Sequence, residues 1–432
     1  MNYQETLDYL EELNKFGTKM GLNRIKRLLE LLDEPQLKYK TIHVTGTNGK
    51  GSVCAMISEI LRQSGIKTGL YTSPHLYSYT ERMQINGVAV SEAVFANSIS
   101  VVKTFADQMV SEGMESPTQF EVLTAAAFFC FAVNNVDYAV IEVGLGGLLD
   151  STNVIIPEVS VITNVAFEHA ALCGGTLEGI AHHKAGIIKD GVPVVTDAKG
   201  MTLDILHDEA VKKNTDLFIE DVDFQAKFIQ HDNYEQEILF TSKLLGVSTE
   251  FSLDLLGEHQ VRNSALAVMT AYLLAGDEQR ITDGSIKIAL ENVKWPGRFE
   301  CIDVKQKKIV IDGAHNPAGM SMLRQNLDKY FPEEQRIFVL GILKDKDIKV
   351  MLKTLLRPQD IVIATTPDSQ RSAAPEDWAE MIDVKYVQVE KDRRQALTKA
   401  MGMTQSGSVL CLTGSLYLIG ELRHVLLYEI KK

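Results

Sequence analysis

The chain has 432 residues, with 44 Lys plus Arg against 57 Asp plus Glu and a formal charge of -13. At 45% hydrophobic and 23% charged residues it has an ordinary globular composition, and its length predicts roughly two or three domains. The acidic balance argues against a broad nucleic-acid or acidic-membrane surface, so an anionic ligand needs locally arranged Lys, Arg and backbone N–H groups. Cys54, Cys130, Cys173, Cys301 and Cys411 are scattered, without a CxxC pair. That spacing predicts neither a disulfide framework nor a zinc knuckle and fits a reducing, cytoplasmic setting.

The N-terminus, "MNYQETLDYLEELNKF", has helical apolar spacing and lacks the basic start and apolar core of a signal peptide. From Tyr39 the pattern becomes α/β. "YKTIHVTG" reads as a buried strand, a glycine-rich loop follows, and "SVCAMISEILRQSG" reads as a helix ending at Gly65. "KTGLYTS" is the next strand. "PHLYSYTERMQINGVAV" reads as a long irregular segment and a candidate substrate loop. The apolar run "TAAAFFCFAV" is about half the length of a membrane span, which makes it a buried helix within Thr118 to Val133.

"VDYAVIEVG" and "VSVITNVAF" are near-continuous apolar runs, the mark of parallel strands covered on both faces. A helix is expected from Leu177 to Ile188 and a small β excursion from Phe218 to Phe251. "GEHQVRNSALAVMTAYLLAG" then reads as a helix. A second unit starts near "KWPGRFE", where "KIVIDG", "RIFVLGIL", "DIVIATT", "VKYVQVE" and "SVLCLTG" alternate with helical stretches. This alternation predicts a second doubly wound sheet.

Ligands of parallel sheets gather at the carboxyl ends of the strands, where five polar clusters fall. In "HVTGTNGKGS", Gly46, Gly49 and Gly51 let backbone N–H groups approach an anion, Lys50 neutralises phosphate and Ser52 is a magnesium ligand candidate. The spelling departs from GxxxxGKS/T, and a tight structural turn is the competing reading. Glu142 ends "YAVIEVG", where nucleotide-loop enzymes place a magnesium-holding acid. The following GxGG does not match a dinucleotide loop. Glu168 and His169 follow another strand, with metal and structural readings both open. His182, His183 and Lys184 share a helix, but adjacent helical histidines point about 100° apart and suit a shared zinc poorly. In the second unit Asp312, His315 and Asn316 of "DGAHNP", with Ser415 of "TGSLY", read either as helix caps or as a ligand edge.

The ordered set "HVTGTNGKGS", "LYTSPHL" with "ERMQING", "FEVLTAAAF", "EVGLGG" with "DSTNV", "KAGIIK", "GEHQVRN", "PGRFE", "DGAHNP", "LGILKDKD" and "TGSLYLIG" resembles the bacterial folylpolyglutamate synthase/dihydrofolate synthase family of the Mur ligase superfamily. The resemblance implies an α/β protein: an N-terminal P-loop-type Mur ligase ATPase domain, mostly parallel sheet with flanking helices and a small β excursion, over 1–296. It implies a C-terminal Rossmann-like α/β glutamate ligase domain over 297–432, with nucleotide in the cleft between the two.

Carried over position by position, Thr47, Asn48, Gly49, Lys50, Gly51, Ser52, Asn263, Arg298 and Asp312 bind ATP. Ser52, Ser73, Glu142, His169 and a carbamylated Lys184 are metal positions. Ser73, Pro74, Arg82, Asp150 and Ser151 are folate positions; Asp312, His315 and Ser415 are glutamate positions. Lys50, Lys184, His169 and His315 are the implied catalytic set. The implied cofactors are Mg²⁺ at two sites, with ATP as co-substrate and a monovalent cation as a further candidate.

The implied reaction joins L-glutamate to the γ-carboxylate of tetrahydrofolate or its polyglutamates through an acyl phosphate, with dihydropteroate as a second acceptor. No nucleic-acid or membrane partner is expected, and monomer is the default. Three positions depart from common family forms: Leu148 replaces Arg after "GLGG", Glu168 an Asp before His169, and His183 a Glu before Lys184. A Mur-type peptide ligase, a small-molecule kinase and a non-catalytic nucleotide binder are the competing readings.

Overall fold

The computed structural model describes residues 1–17, 19–168, 172–232 and 235–430. They divide into two compact units, one of 1–230, 237–254 and 258–293, the other of 231–236, 255–257 and 294–432.

The first unit is built on a sheet of eight strands among the described residues. Their order is Val88–Ala89, Met83–Ile85, Thr68–Tyr71, Tyr138–Glu142, Lys40–Thr45, Val159–Ile162, Val194–Thr196 and Leu217–Ile219. Lys40–Thr45 pairs in parallel with both neighbours, placing Val44 opposite Glu142 and Thr45 opposite Ile162. The chain runs to one side of this strand and later to the other, so the glycine-rich loop that follows it lies at the switch point of the sheet.

The helices Tyr3–Leu13, Asn23–Leu31, Glu92–Ser111 and Gln119–Val133 contribute to a core with Leu10, Ile25, Phe95, Phe128 and Tyr71. Burying each such large apolar side chain is worth about 1.5–3 kcal/mol. Gln119–Val133 is the buried helix expected from "TAAAFFCFAV". Thr118 caps it through Glu121, a reciprocal pair that satisfies the first backbone donors.

Two sequence expectations change here. The segment after Pro74 is not irregular throughout: a turn at Tyr79–Arg82 leads into Met83–Ile85 and Val88–Ala89, which extend the sheet as an antiparallel edge. The signal was Asn86–Gly87, both at positive φ (51° and 75°), the residue pair of a tight hairpin turn. The β excursion begins later than Phe218, because Leu217–Ile219 joins the main sheet. The separate three-stranded sheet comprises Gln225–Asp232, Glu235–Ser242 and Val247–Leu253. Buried and more exposed residues alternate along Glu235–Ser242, as in a sheet covered on one face.

In the second unit the sheet order is Glu300–Val304, Lys307–Ile311, Ser408–Thr413, Gln335–Leu340, Ile361–Ala364 and Tyr386–Val389. All pairs are parallel except the first, a hairpin that the βα pattern does not announce. Its turn uses Lys305 and Gln306 at φ 51° and 62°, without the glycine that usually marks such a turn. Phe299, Phe331, Phe338, Leu340 and Trp378 form part of this unit's core. Among the described residues, no helix is long and apolar enough to cross a membrane.

Candidate active site

The loop after Lys40–Thr45 enters the helix Lys50–Gln63 through Gly49, which has φ +85°. No side chain caps this helix, so its first N–H groups and dipole face outward from the sheet edge, as an anion site requires. A Cβ on Gly46 would stand 1.8 Å from Thr163 Oγ1, and one on Gly49 2.4 Å from Asn263 Oδ1. Glycine is therefore required by close packing at both places, beyond any role in approaching a ligand.

The loop is held from outside its own sequence. Asn164 accepts from Asn48 N–H at 3.0 Å and donates to the Asn48 carbonyl at 3.0 Å; Thr163 Oγ1 donates to the same carbonyl at 2.6 Å. Thr47 Oγ1 donates to the Ala166 carbonyl at 3.1 Å. Gln260 Nε2 donates to Ser52 Oγ at 3.1 Å, and Asn263 donates to Gln260 Oε1 at 2.9 Å. Thr163, Asn164 and Gln260 were not singled out from sequence. For the first two the available signal was a polar "TN" at the tip of an apolar strand.

Lys50 turns back over the loop and donates to the carbonyls of Gly46 at 2.9 Å and Thr47 at 3.3 Å. Glu142 is buried at the end of its strand and accepts from Ser73 N–H at 3.0 Å. Lys50, Lys184, Glu168, Gly46 and Cys173 line a cavity of about 10 Å³, room for about one water molecule. Lys184, 4% exposed, is pushed down to about 7 by burial, then by the Lys50 cation, against the opposing pull of Glu168. Burial also lowers its neighbour His183, which lies against Gly146, while His182 points to Glu178 at 4.0 Å. The two histidines thus serve different surroundings. His169 lies outside the described residues.

On the segment after Pro74, Arg82 donates through Nε to His75 Nδ1 at 2.9 Å and lies 5.4 Å from the Tyr79 ring centre. Burial, then Arg82, holds His75 down to about 3, so it is neutral at physiological pH. Asp150 is buried, with its carboxylate accepting from Leu145 N–H at 2.8 Å and from Thr152 N–H and Oγ1 at 3.0 and 2.6 Å. Burial raises its pKa all the same. It shapes the turn after "GLGG", beside the buried Ser151. Leu148 of that turn donates its N–H to the His183 carbonyl at 2.7 Å and leaves its apolar side chain exposed.

In the second unit Asp312 accepts from Phe299 N–H and Ala314 N–H, each at 2.8 Å, and burial raises its pKa against the pull of Arg298. His315 Nδ1 sits 2.8 Å from the Gly313 carbonyl. A carbonyl only accepts, so Nδ1 carries the proton and Nε2 is the basic nitrogen. Asn316 caps the helix Pro317–Tyr330, and Ser415, fully buried, caps Leu416–His424.

An uncapped glycine loop at a parallel-sheet switch point, followed by a second α/β unit, is the layout of a Mur-type ligase. Residues 44–271 match the Mur ligase middle domain and residues 297–416 the Mur ligase glutamate ligase domain. A dihydrofolate synthase/folylpolyglutamate synthase of Bacillus subtilis is 31% identical over 98% of both chains. A folylpolyglutamate synthase of Lacticaseibacillus casei is 35% identical over 99% of both. Among solved structures, folylpolyglutamate synthase from Thermotoga maritima superposes with a TM-score of 0.90 at 36% identity, covering 100% of this chain and 98% of its own. The Mycobacterium tuberculosis enzyme, complexed with ADP and AMPPCP, gives 0.87 at 30% identity, covering 99% and 100%. The chain belongs to the folylpolyglutamate synthase/dihydrofolate synthase family.

Proposed function

We propose that the protein is an ATP-dependent ligase that adds L-glutamate to the γ-carboxylate of tetrahydrofolate or its polyglutamates, with dihydropteroate as a second acceptor. The observation that carries this reading is the uncapped helix start at Lys50 beside buried Glu142 and desolvated Lys184, in a chain matching this family along its whole length.

A carboxylate is a poor acyl donor because its leaving oxygen is bad. In the proposed reaction a carboxylate oxygen attacks the γ-phosphorus of ATP, the bond to the ADP oxygen breaks, and an acyl phosphate forms. The glutamate nitrogen then bonds to the acyl carbon, phosphate leaves with the carbon–oxygen electron pair, and the amine loses a proton. Backbone N–H groups of Gly49, Lys50, Gly51 and Ser52 hold the phosphates, Thr47 and Asn48, whose own N–H groups bond Asn164, shape the nucleotide loop, Lys50 offsets charge on the transferred group, and Asn263 borders the nucleotide.

The oxygen donors of Ser52, Ser73 and Glu142 fit a hard cation such as Mg²⁺. The Lys184 amine does not fit one as it stands. Held near neutrality by burial, it is a nucleophile for CO₂, and its carbamate supplies the missing anionic oxygens. Magnesium, when bound, neutralises phosphate charge and orients the attacking carboxylate.

Residues 1–296 form the nucleotide and folate part of this assignment, with Pro74, Arg82, Asp150 and Ser151 toward folate. Residues 297–432 form the glutamate part. There Arg298 and Asp312 are assigned to the nucleotide, and Asp312, Ser415 and the catalytic candidate His315 to the incoming glutamate.

Purified protein with tetrahydrofolate, glutamate, Mg²⁺ and ATP is expected to release ADP and a folate one glutamate longer; dihydropteroate in a parallel assay reports the second activity. ADP release only with a peptide-linked cell-wall precursor would transfer the assignment to a peptide ligase. A phosphorylated product without an amide would make it a kinase.

A further inference from the structure

The first turn of the helix Glu258–Ala275 meets the glycine-rich loop with an amide that belongs to "GEHQVRN" but carries no assigned role there. Gln260 is 1% exposed and shielded from water. Its Nε2 donates to Ser52 Oγ at 3.1 Å, while its Oε1 accepts from Asn263 Nδ2 at 2.9 Å, so both ends of the amide are committed. Asn263 in turn brings its Oδ1 against the backbone of Gly49. Two residues beyond Gln260, Arg262 binds Asp197 through Nε at 2.9 Å and through Nη2 at 2.5 Å, Asp221 at 2.9 Å, and Glu220. These carboxylates follow the strands Val194–Thr196 and Leu217–Ile219, so the helix start is anchored to the sheet on one side and to the loop on the other.

Resting on the reading of Ser52 as a magnesium ligand, we infer that Gln260 is a positioning residue for nucleotide-bound Mg²⁺, acting through the Ser52 hydroxyl. A serine hydroxyl has two lone pairs and one proton. The Gln260 N–H occupies one lone pair and fixes the direction of Oγ, which leaves the other lone pair for a cation and the proton for a phosphate oxygen. The bond from Asn263 stops the amide from turning over, since a flipped amide would set oxygen against Ser52 and NH₂ against the NH₂ of Asn263. Burial strengthens the arrangement, because neither end can exchange its partner for water without the helix moving.

The test is calorimetric binding of AMPPCP to the full-length chain with and without Mg²⁺, for Gln260→Met, Gln260→Asn, Ser52→Ala and the Gln260→Met/Ser52→Ala pair. The Mg²⁺-dependent gain in affinity is expected to fall about tenfold in each Gln260 variant, the size of effect seen when a partner of a metal ligand is removed. Magnesium-free affinity is expected to stay close to wild type, while the thermal midpoint is expected to fall in Gln260→Met, which leaves the Asn263 amide without its acceptor, and to fall less in Gln260→Asn. Ser52→Ala is expected to absorb the effect, so the double variant binds no worse than Ser52→Ala alone. If Gln260→Met fails to fold, Gln260→Asn keeps a buried amide and carries the test.

Unchanged magnesium dependence in the folded Gln260 variants, equal losses with and without Mg²⁺, or full additivity with Ser52→Ala would overturn the inference. So would a wild-type protein with no magnesium dependence. Wild-type magnesium dependence without glutamylated folate as product would instead defeat the functional reading and leave Gln260's role intact.

Discussion

In the first unit, the loop at the carboxyl edge is held by partners far along the chain: Asn164, Thr163 and Gln260 lie 116, 115 and 208 residues from the positions they bond. In the second unit, the strand ends are held mainly from within. Asn316, Ser415 and His315 bond groups two or three residues away, and Asp312 reaches back 13 residues to Phe299. The first edge therefore takes its shape only when the whole sheet has closed, and it can carry buried cations in a fixed relation. At the second the side-chain bonds are local, and it is the backbone, as in Gly414 N–H to the Ala314 carbonyl, that joins one strand end to another.

The largest effect expected from this contrast is at the first edge. Lys50→Ala is expected to cut turnover by a factor of at least about 100, the range for losing one group that stabilises transition-state charge, while leaving the fold intact. Lys184→Ala should be comparably severe. Wild-type protein in ¹³C-bicarbonate should show a carbamate resonance that the variant lacks, and retained activity in Lys184→Ala would remove its proposed role.

At the second edge, Asp312→Ala is expected to cost about 2–6 kcal/mol of stability in denaturant titration. It strands two backbone N–H groups, each worth about 1–3 kcal/mol when buried without a partner. A loss confined to activity would mean that water replaces the carboxylate, and local wiring would not explain this edge.

A smaller, pH-dependent effect belongs to the anchor of the Gln260 helix. Glu220 is pushed up to about 8, by burial first and then by the Asp197 carboxylate, from an ordinary 4.5. The native state holds this proton more tightly than the unfolded chain, so the Glu220 contribution falls as pH rises from about 4.5 to 8 and is flat outside that window. Glu220→Gln keeps an acceptor for Arg262 and is expected to flatten the pH dependence of unfolding there; parallel profiles would contradict the assignment.

Smallest is Ser415→Ala, which removes a local cap on the helix Leu416–His424 and should lower stability by about 1 kcal/mol in the same titration.

Much of the parallel framework was legible because short apolar runs such as "YAVIEVG" and "SVLCLTG", each ending at a glycine, suit a strand covered on both sides. The hairpin at Asn86–Gly87 carried a signal that its polar surroundings obscured. The one at Lys305–Gln306 carried almost none, since neither residue favours positive φ. Lys184 shows the same limit at the site. A lysine on a polar helix reads as solvated, and only the packing around it makes its ammonium form costly.

The sequence by itself determined the element types, the loop able to receive an anion and the order of motifs that marks the family, because periodicity, glycine placement and strand-end polarity are local properties. Tertiary structure decided which distant side chains hold that loop, which acid and amine lose their water, and that Gln260 reaches Ser52. Those depend on strand order, and burial sets the cost of a charge or an unmade hydrogen bond only once the sheet has brought its neighbours together.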